Sequence, residues 1–247
     1  MVSQGRFAVV IPSYNHGERI VGVAQESLKL NFPVFVVDDG STDSTRAMVS
    51  KLDGVRLLQH PENRGKGAAL LTGFAEASKV ADWVITIDAD GQHSPEDALK
   101  MIREISEQHD RPIVVGMRRG MEGKFVPWTS RFGRKFSNFW VWLSGGPAMK
   151  DSQSGFRIYP VPEAMNLNVL ARRFQFEVEI LVKARWKKMR VIEVPVRVTY
   201  AQGAERISHF RPFVDFLRNS STFARLIVQR IFRRPATFFR FVRRPQR

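Results

Sequence analysis

The chain contains no cysteine, which excludes disulfides, zinc–thiolate centres and a thiol nucleophile. It has no stretch of the roughly 18 uninterrupted apolar residues that a spanning helix requires. Its opening residues, MVSQGRFAVVIPSYN, pass straight into a strand-like segment and lack the design of a signal peptide. No internal repeat is present. Acidic side chains stop at Asp215, and nine arginines follow, from Arg218 to Arg247. These absences lead to the expectation of a cytoplasmic protein, peripheral to the inner face of the plasma membrane.

What is present is a chain of 247 residues, 43% hydrophobic. That is enough for one α/β domain with a tail, and too apolar for a disordered chain. Net charge is +15, of which nine lie after Asp215. Such a balance points to an anionic partner: nucleic acid, phospholipid or a phosphorylated substrate. Apolar runs at Phe7–Ile11, Val34–Val37, Val55–Leu58, Val84–Ile87 and Ile113–Val115 read as strands. Between them, Ile20–Leu30, a segment from about Ser44, Lys66–Ser78 and Pro95–Gln108 read as helices. Alternation of this kind predicts an α/β fold with a mostly parallel sheet covered by helices on both faces. Ligands bind such sheets outside the carboxyl ends of the strands, and polar clusters follow the first, second and fourth. Farther on, the aromatic and basic segment Phe125–Leu143 reads as a helix over the site and Phe174–Trp186 as another. Met189–Tyr200 reads as an extended run broken by Pro195, and Ala201–Arg211 as a polar loop.

Four clusters carry possible chemistry. Asp88-Ala89-Asp90-Gly91-Gln92-His93 places carboxylates two apart at a strand end. Hard oxygen donors in that number hold a divalent cation loosely, leaving diphosphate oxygens and water to complete its shell. Val37-Asp38-Asp39-Gly40-Ser41 puts two like charges side by side, which need partners such as a nucleobase N–H or ribose hydroxyls. Pro12-Ser13-Tyr14-Asn15-His16 offers a ring to stack on a base and an amide. Asn63-Arg64-Gly65-Lys66-Gly67 opens a helix, where N–H groups and cations can face phosphates, although it is not a Walker A loop. Each cluster taken alone also fits an ordinary turn or helix cap.

In order, VVIPSYN, VVDDGSTDST, NRGKGAAL, ITIDADGQH and DSQSGFRIY resemble family 2 glycosyltransferases of the GT-A fold, nearest to dolichyl-phosphate mannose synthase-like and bacterial polyprenyl-phosphate sugar transferases. The resemblance covers about Phe7 to Arg211. It implies a Rossmann-like GT-A domain over residues 1–211 and a transfer, inverting at the anomeric carbon, from a nucleotide-sugar donor to a lipid hydroxyl or polyprenyl-phosphate acceptor. Pro12, Tyr14, Asn15, Asp38 and Asp39 would hold the nucleoside, with Lys66 and Ala89 beside it. Asp88 would face the donor ribose and diphosphate, and Asp90 with Gln92 would ligate Mg²⁺ or Mn²⁺. Arg118, Arg131 and Arg134 would meet phosphate, as would Arg157 on the acceptor side. Asp151 is the candidate base if the acceptor is a hydroxyl; a lipid phosphate is already anionic and needs none. Glu177 or Glu179 either orients the sugar or lies on a solvated face. Arg206 and Ser208 match a late Arg-x-Ser segment that can close over the diphosphate.

Residues 212–247 interleave Phe, Leu, Ile and Val with arginine, the pattern of a basic amphipathic helix lying in an anionic headgroup plane. The other reading of this tail is a helix packed on the domain followed by a disordered end. Two other functions fit parts of the sequence. A sugar nucleotidyltransferase shares the sheet and the metal carboxylates, but Pro-Ser-Tyr-Asn stands where its Gly-rich phosphate loop belongs. A nucleic-acid binder fits the charge, but the charge is concentrated in one tail and no nucleic-acid motif appears, so no nucleic-acid partner is expected.

Overall fold

The computed structural model describes residues 5–106, 110–119, 128–199 and 212–233. Seven strands, β1 (Phe7–Ser13), β2 (Val34–Asp38), β3 (Val55–Gln59), β4 (Trp83–Thr86), β5 (Ile113–Arg118), β6 (Arg157–Pro160) and β7 (Val191–Val196), form one sheet. Their order is β3-β2-β1-β4-β6-β5-β7, parallel except for β6, which runs against both neighbours. The helices are α1 (Gly17–Leu28), α2 (Thr45–Val49), α3 (Lys66–Ala77), α4 (Ala98–Ser106), α5 (Trp128–Leu143), α6 (Phe176–Trp186) and α7 (Pro212–Arg233).

The central strands β1, β2 and β4 read as apolar runs because both their faces are buried. Val9, Ile11, Val34, Val36 and Ile85 pack toward Ile20, Val23 and Ala24 of α1 and Ala98, Met101 and Ile105 of α4. Their sequence neighbours Ala8, Val10, Phe35, Val37 and Val84 pack on the other side, toward Leu70 and Phe74 of α3 and Phe176 and Ile180 of α6. The α/β architecture expected from the sequence, a mostly parallel sheet covered by helices on both faces, is the one observed.

Two local expectations shift. Pro95–Gln108 does not run as one helix: Pro95–Asp97 forms a 3₁₀ turn before α4. Pro195 does not break the extended run. It lies inside β7, opposite Met117. Among the described residues β7 is the sheet's last strand and pairs on one side only, and an edge strand tolerates a residue without an N–H.

Helix α7 packs on the domain through Phe223 and Leu226, which join Val141 of α5 and Val178 and Val182 of α6 in a third apolar cluster. Arg225 forks onto Glu179 at 3.1 and 2.7 Å. Glu179 is fully buried and also accepts the Leu170 and Ala171 N–H groups and Lys183. Burial alone would raise this carboxyl, but the Arg225, Lys183 and backbone donors outweigh it and hold it below the ordinary glutamate range. A depressed folded value means stability that is present above the unfolded pKa and lost as pH falls through the folded one. Glu179→Gln is therefore expected to cost about 3 kcal/mol at neutral pH, with the gap to wild type narrowing as pH drops below about 4. Urea unfolding at stepped pH measures it; a gap of constant size would refute the linkage.

Candidate active site

Parallel register gathers the polar clusters on one sheet edge. Ser13 lies beside Asp38, and Val10 beside Thr86, so the chain leaves β1, β2 and β4 at neighbouring points. Pro12 is buried in β1, and Tyr14 and Asn15 follow half-buried. Asn15 takes a left-handed φ of 52°. Its N–H donates to Ser41 Oγ at 2.9 Å, and its Oδ1 accepts the Thr42 N–H at 2.8 Å. Asp38 Oδ1 accepts the Ser41 N–H at 3.0 Å. Asn15 and Asp38 thus shape the loop that follows β2.

Asp39 is buried and tied to the next motif. Its Oδ1 accepts the Arg64 N–H at 2.9 Å and its Oδ2 the Gly65 N–H at 2.7 Å. His60 Nδ1 approaches Oδ1 at 2.7 Å, and its Nε2 lies 2.9 Å from Thr72 Oγ1. A carboxylate only accepts, so the imidazole proton facing it sits on Nδ1. The like-charged pair therefore finds its partners within the protein, and His60 was missed from sequence. The one available signal was position: His60 follows β3, whose last residue Gln59 pairs with Asp38.

That anchored turn launches α3. Gly65 adopts φ 99°, and a Cβ there would sit 2.6 Å from the Arg172 carbonyl. Lys66, the first residue of α3, reaches Asp88 Oδ1 at 2.6 Å and Glu177 Oε1 at 2.5 Å. Burial would lower its pKa, but the two carboxylates outweigh that and raise it well above the lysine range. Asp88 moves the opposite way: burial would raise it, and Lys66 holds it low. Gly155 makes room for this carboxylate, since a Cβ there would stand 2.4 Å from Asp88 Oδ2. Neither glutamate considered from sequence is solvated; Glu177 holds Lys66 and Glu179 holds α7.

The Asp88–Gln92 loop has the character of a cation site. Ala89 is buried, and Gly91 turns the chain at φ 74°. Asp90 accepts the Gln92 N–H at 3.0 Å. Burial, and then the Asp88 charge, push the Asp90 carboxyl above its ordinary value. The charges of Lys66 and Arg118 offset this only in part, so the carboxyl would gain from a further cation, and hard oxygen donors suit Mg²⁺ or Mn²⁺. Among the described residues there is no cluster of three or more His, Cys, Asp or Glu side chains that could hold a metal. Asp90 and Gln92, the expected ligands, lie two residues apart in this loop, and a cation held by so few side chains would take most of its shell from ligand oxygens and water. The residues fit a loosely held divalent ion.

At the end of β5, Arg118 forks onto Asp151, Nε to Oδ2 and Nη2 to Oδ1, both at 2.8 Å. Asp151 is fully buried. Burial would raise it, yet the Arg118 guanidinium, helped by the charge of Arg134, holds it below the carboxylate range. Glu193 of β7 accepts the Lys150 and Asp151 N–H groups. Ser137 and Asn138 of α5 bind Ser152, through Oγ at 2.9 Å and through the Ser152 N–H. Arg134 is half-buried on α5 and Arg131 exposed.

Arg157 does not stand where the sequence reading put it. Its side chain is fully buried and donates to the carbonyls of Ser154, Ser152 and Glu177 at 2.7–2.8 Å and to the Tyr159 hydroxyl. The guanidinium is spent on the main chain, so it braces the 151–157 loop instead of facing a phosphate. Arg157→Met should strand three buried carbonyls and cost about 3 kcal/mol or more, read as a fall in the urea midpoint at unchanged m. Arg206 and Ser208 lie outside the described residues.

A family model described as Glycosyl transferase family 2 matches residues 8–163. The chain is 31% identical over 236 residues to a UDP-N-acetylglucosamine–dolichyl-phosphate N-acetylglucosaminyltransferase of Methanococcus voltae, covering 85% of this chain and 94% of that one. It is 33% identical over 229 residues to a dolichol-phosphate mannosyltransferase of Pyrococcus furiosus, covering 87% of this chain and 62% of that one. Among solved structures, glucosyl-3-phosphoglycerate synthase of Mycobacterium tuberculosis, in complex with Mn²⁺, UDP-glucose and phosphoglyceric acid, superposes with a TM-score of 0.69 at 19% identity. That match covers 94% of this chain and 81% of the other.

Proposed function

This chain belongs to glycosyl transferase family 2 and is a glycosyltransferase, and from that premise we propose that it moves a sugar from a nucleotide-diphosphate donor to a polyprenyl-type lipid phosphate, with inversion. Membership sets aside the nucleotidyltransferase reading. The relatives named for dolichyl-phosphate transfer support the lipid acceptor.

The observation that carries the acceptor reading is the Arg118–Asp151 fork, at 2.8 Å on both oxygens. An aspartate so held is a poor proton acceptor. A hydroxyl acceptor would require a base, whereas a phosphate attacks as the anion it already is. Asp151 is then a positioning residue that aims Arg118 and, with Arg134 and Arg131, sets a positive wall for the incoming phosphate. On the donor side, Asp38, Asp39, Tyr14 and Asn15 border the nucleoside. Asp90 and Gln92, with Asp88, would hold Mg²⁺ or Mn²⁺, which when bound supplies positive charge to the departing diphosphate. Lys66, locked in its charged form, adds a second positive group on the same side. Arg206 and Ser208 would close over the diphosphate. No helix among the described residues is long and apolar enough to cross a membrane. The nine arginines after Asp215 support contact with an anionic inner leaflet.

A thermal-shift panel of nucleoside diphosphates with and without Mn²⁺ tests the donor side, because a ligand that binds only the folded chain raises its melting temperature. Transfer assays with sugar nucleotides then compare a polyprenyl phosphate with the matching polyprenol. The phosphate is expected to be used at least about 100-fold better, roughly 2.7 kcal/mol of transition-state preference. Equal use of the alcohol would return Asp151 to the role of a base.

A further inference from the structure

We infer that the outward faces of α5 and α7 form a lipid-bilayer docking surface, seated by aromatic side chains among basic ones, and that α5 couples this surface to the acceptor loop. The inference rests on the lipid-acceptor reading above and adds to it where on the fold the bilayer is met.

On α5, Ser137 and Val141 are buried toward the domain, as is Ser144 just past its end. Phe132, Lys135, Phe139 and Trp142 lie at i, i+3, i+7 and i+10, one stripe on the opposite side. Phe132 is 60% exposed, Phe139 52% and Trp142 55%. On α7, Phe223 and Leu226 face inward, and Val228, Ile231 and Phe232 are 51%, 62% and 84% exposed. Both helices turn their buried sides to the cluster they share with Val178 and Val182 of α6, and Trp140 stacks on Phe223 between them. Their other sides therefore point away from the domain. Eight large apolar side chains are exposed among the described residues, and six of them are on these two helices. That concentration is what distinguishes an interaction surface from scattered exposed side chains.

Charge selects the occupant. Helix α5 carries Arg131, Arg134 and Lys135 and no acidic residue, and no acidic residue follows Asp215. A stripe of Phe and Trp flanked by Arg and Lys suits the headgroup boundary of an anionic bilayer, with rings in the acyl margin and cations among the phosphates. A second copy of this chain would bring the same positive face and meet repulsion. The same helix holds the acceptor side: Asn138 accepts the Ser152 N–H at 2.9 Å and donates to the Lys150 carbonyl at 2.8 Å. An α5 seated at the headgroups therefore sets the Lys150–Ser154 loop and Arg118 near the depth at which a lipid phosphate sits.

The test is flotation of the full chain with phosphatidylcholine vesicles, with and without phosphatidylglycerol. Three proteins are compared: wild type, the Phe132→Ser/Phe139→Ser/Trp142→Ser variant, and a tail variant with Arg240, Arg243 and Arg244 changed to Gln. Wild type is expected to float with the anionic vesicles, and the α5 variant to lose at least about tenfold in partitioning. That variant should keep its nucleoside diphosphate shift and its transfer to a short-chain phosphate acceptor in detergent. Brominated lipids should quench wild type more than Trp142→Phe. Wild-type partitioning by the α5 variant, or loss confined to the tail variant, would overturn the proposal. So would concentration-dependent dimers of wild type that the α5 substitutions dissolve while vesicle binding persists. Loss of transfer in detergent by wild type itself would instead strike the lipid-phosphate reading.

Discussion

Asp90→Ala is expected to abolish sugar transfer, with kcat falling at least about 1000-fold, the equivalent of about 4 kcal/mol, while the chain stays folded. Asp90 is the carboxyl that its surroundings leave unfavourably charged, half-buried and raised further by the charge of Asp88. Within the protein it accepts one backbone N–H. Removing it relieves a like-charge contact, so stability should be unchanged or slightly higher, the opposite of what loss of a structural aspartate produces. The pairing of those two results is the signature: catalysis lost, urea midpoint kept. Nucleoside diphosphate binding should also lose its dependence on Mn²⁺ in the same variant. Undiminished turnover would remove the cation from this loop altogether, and a collapse of the fold would make Asp90 a structural residue.

The fold was legible in sequence because buried parallel strands leave a strong trace. Val9–Ile11, Val34–Val37 and Val84–Ile85 are apolar on both faces, and each ends in a polar cluster that the parallel register must bring to one edge. The donor-side motifs were legible for the same reason, as local strings tied to strand tips. What the sequence did not carry was partnership over long separations. Lys66 and Glu177 are 111 residues apart, and nothing in either string points to the other. Arg157 was misread because Asp-Ser-Gln-Ser-Gly-Phe-Arg gives no sign that the chain folds its own carbonyls around the guanidinium. Asp151 reads from sequence as an available base, but Arg118, 33 residues earlier, occupies both its oxygens. His60 drew no attention, since an isolated histidine before Pro61 carries no motif. The aromatic residues of α5 were visible, but periodicity alone does not say which of two apolar stripes faces the core.

The longest of these partnerships gives the second large effect. Lys66 Nζ bridges Asp88 and Glu177 at 2.6 and 2.5 Å, so one ammonium neutralises two carboxylates that would otherwise confront each other. Lys66→Met should lower transfer at least about 100-fold, because Asp88 loses the charge that holds it in place and the diphosphate loses a cation. It should also destabilise the fold by about 3 kcal/mol, the cost of leaving buried charge unpaired. Glu177→Gln alone keeps the Lys66–Asp88 contact and should cost much less on both measures. The informative measurement is the double-mutant cycle in stability. Removing Glu177 in a protein that already lacks Lys66 takes away a repulsion, so the coupling should amount to about 1–3 kcal/mol, with the double variant more stable than Lys66→Met alone. Lys66→Arg should rescue only partly. A planar fork directs its N–H groups along fixed lines, whereas the ammonium serves as a point charge between two oxygens. Simple additivity across the cycle would mean that Lys66 acts on Asp88 by itself, and that Glu177 has no part in positioning it.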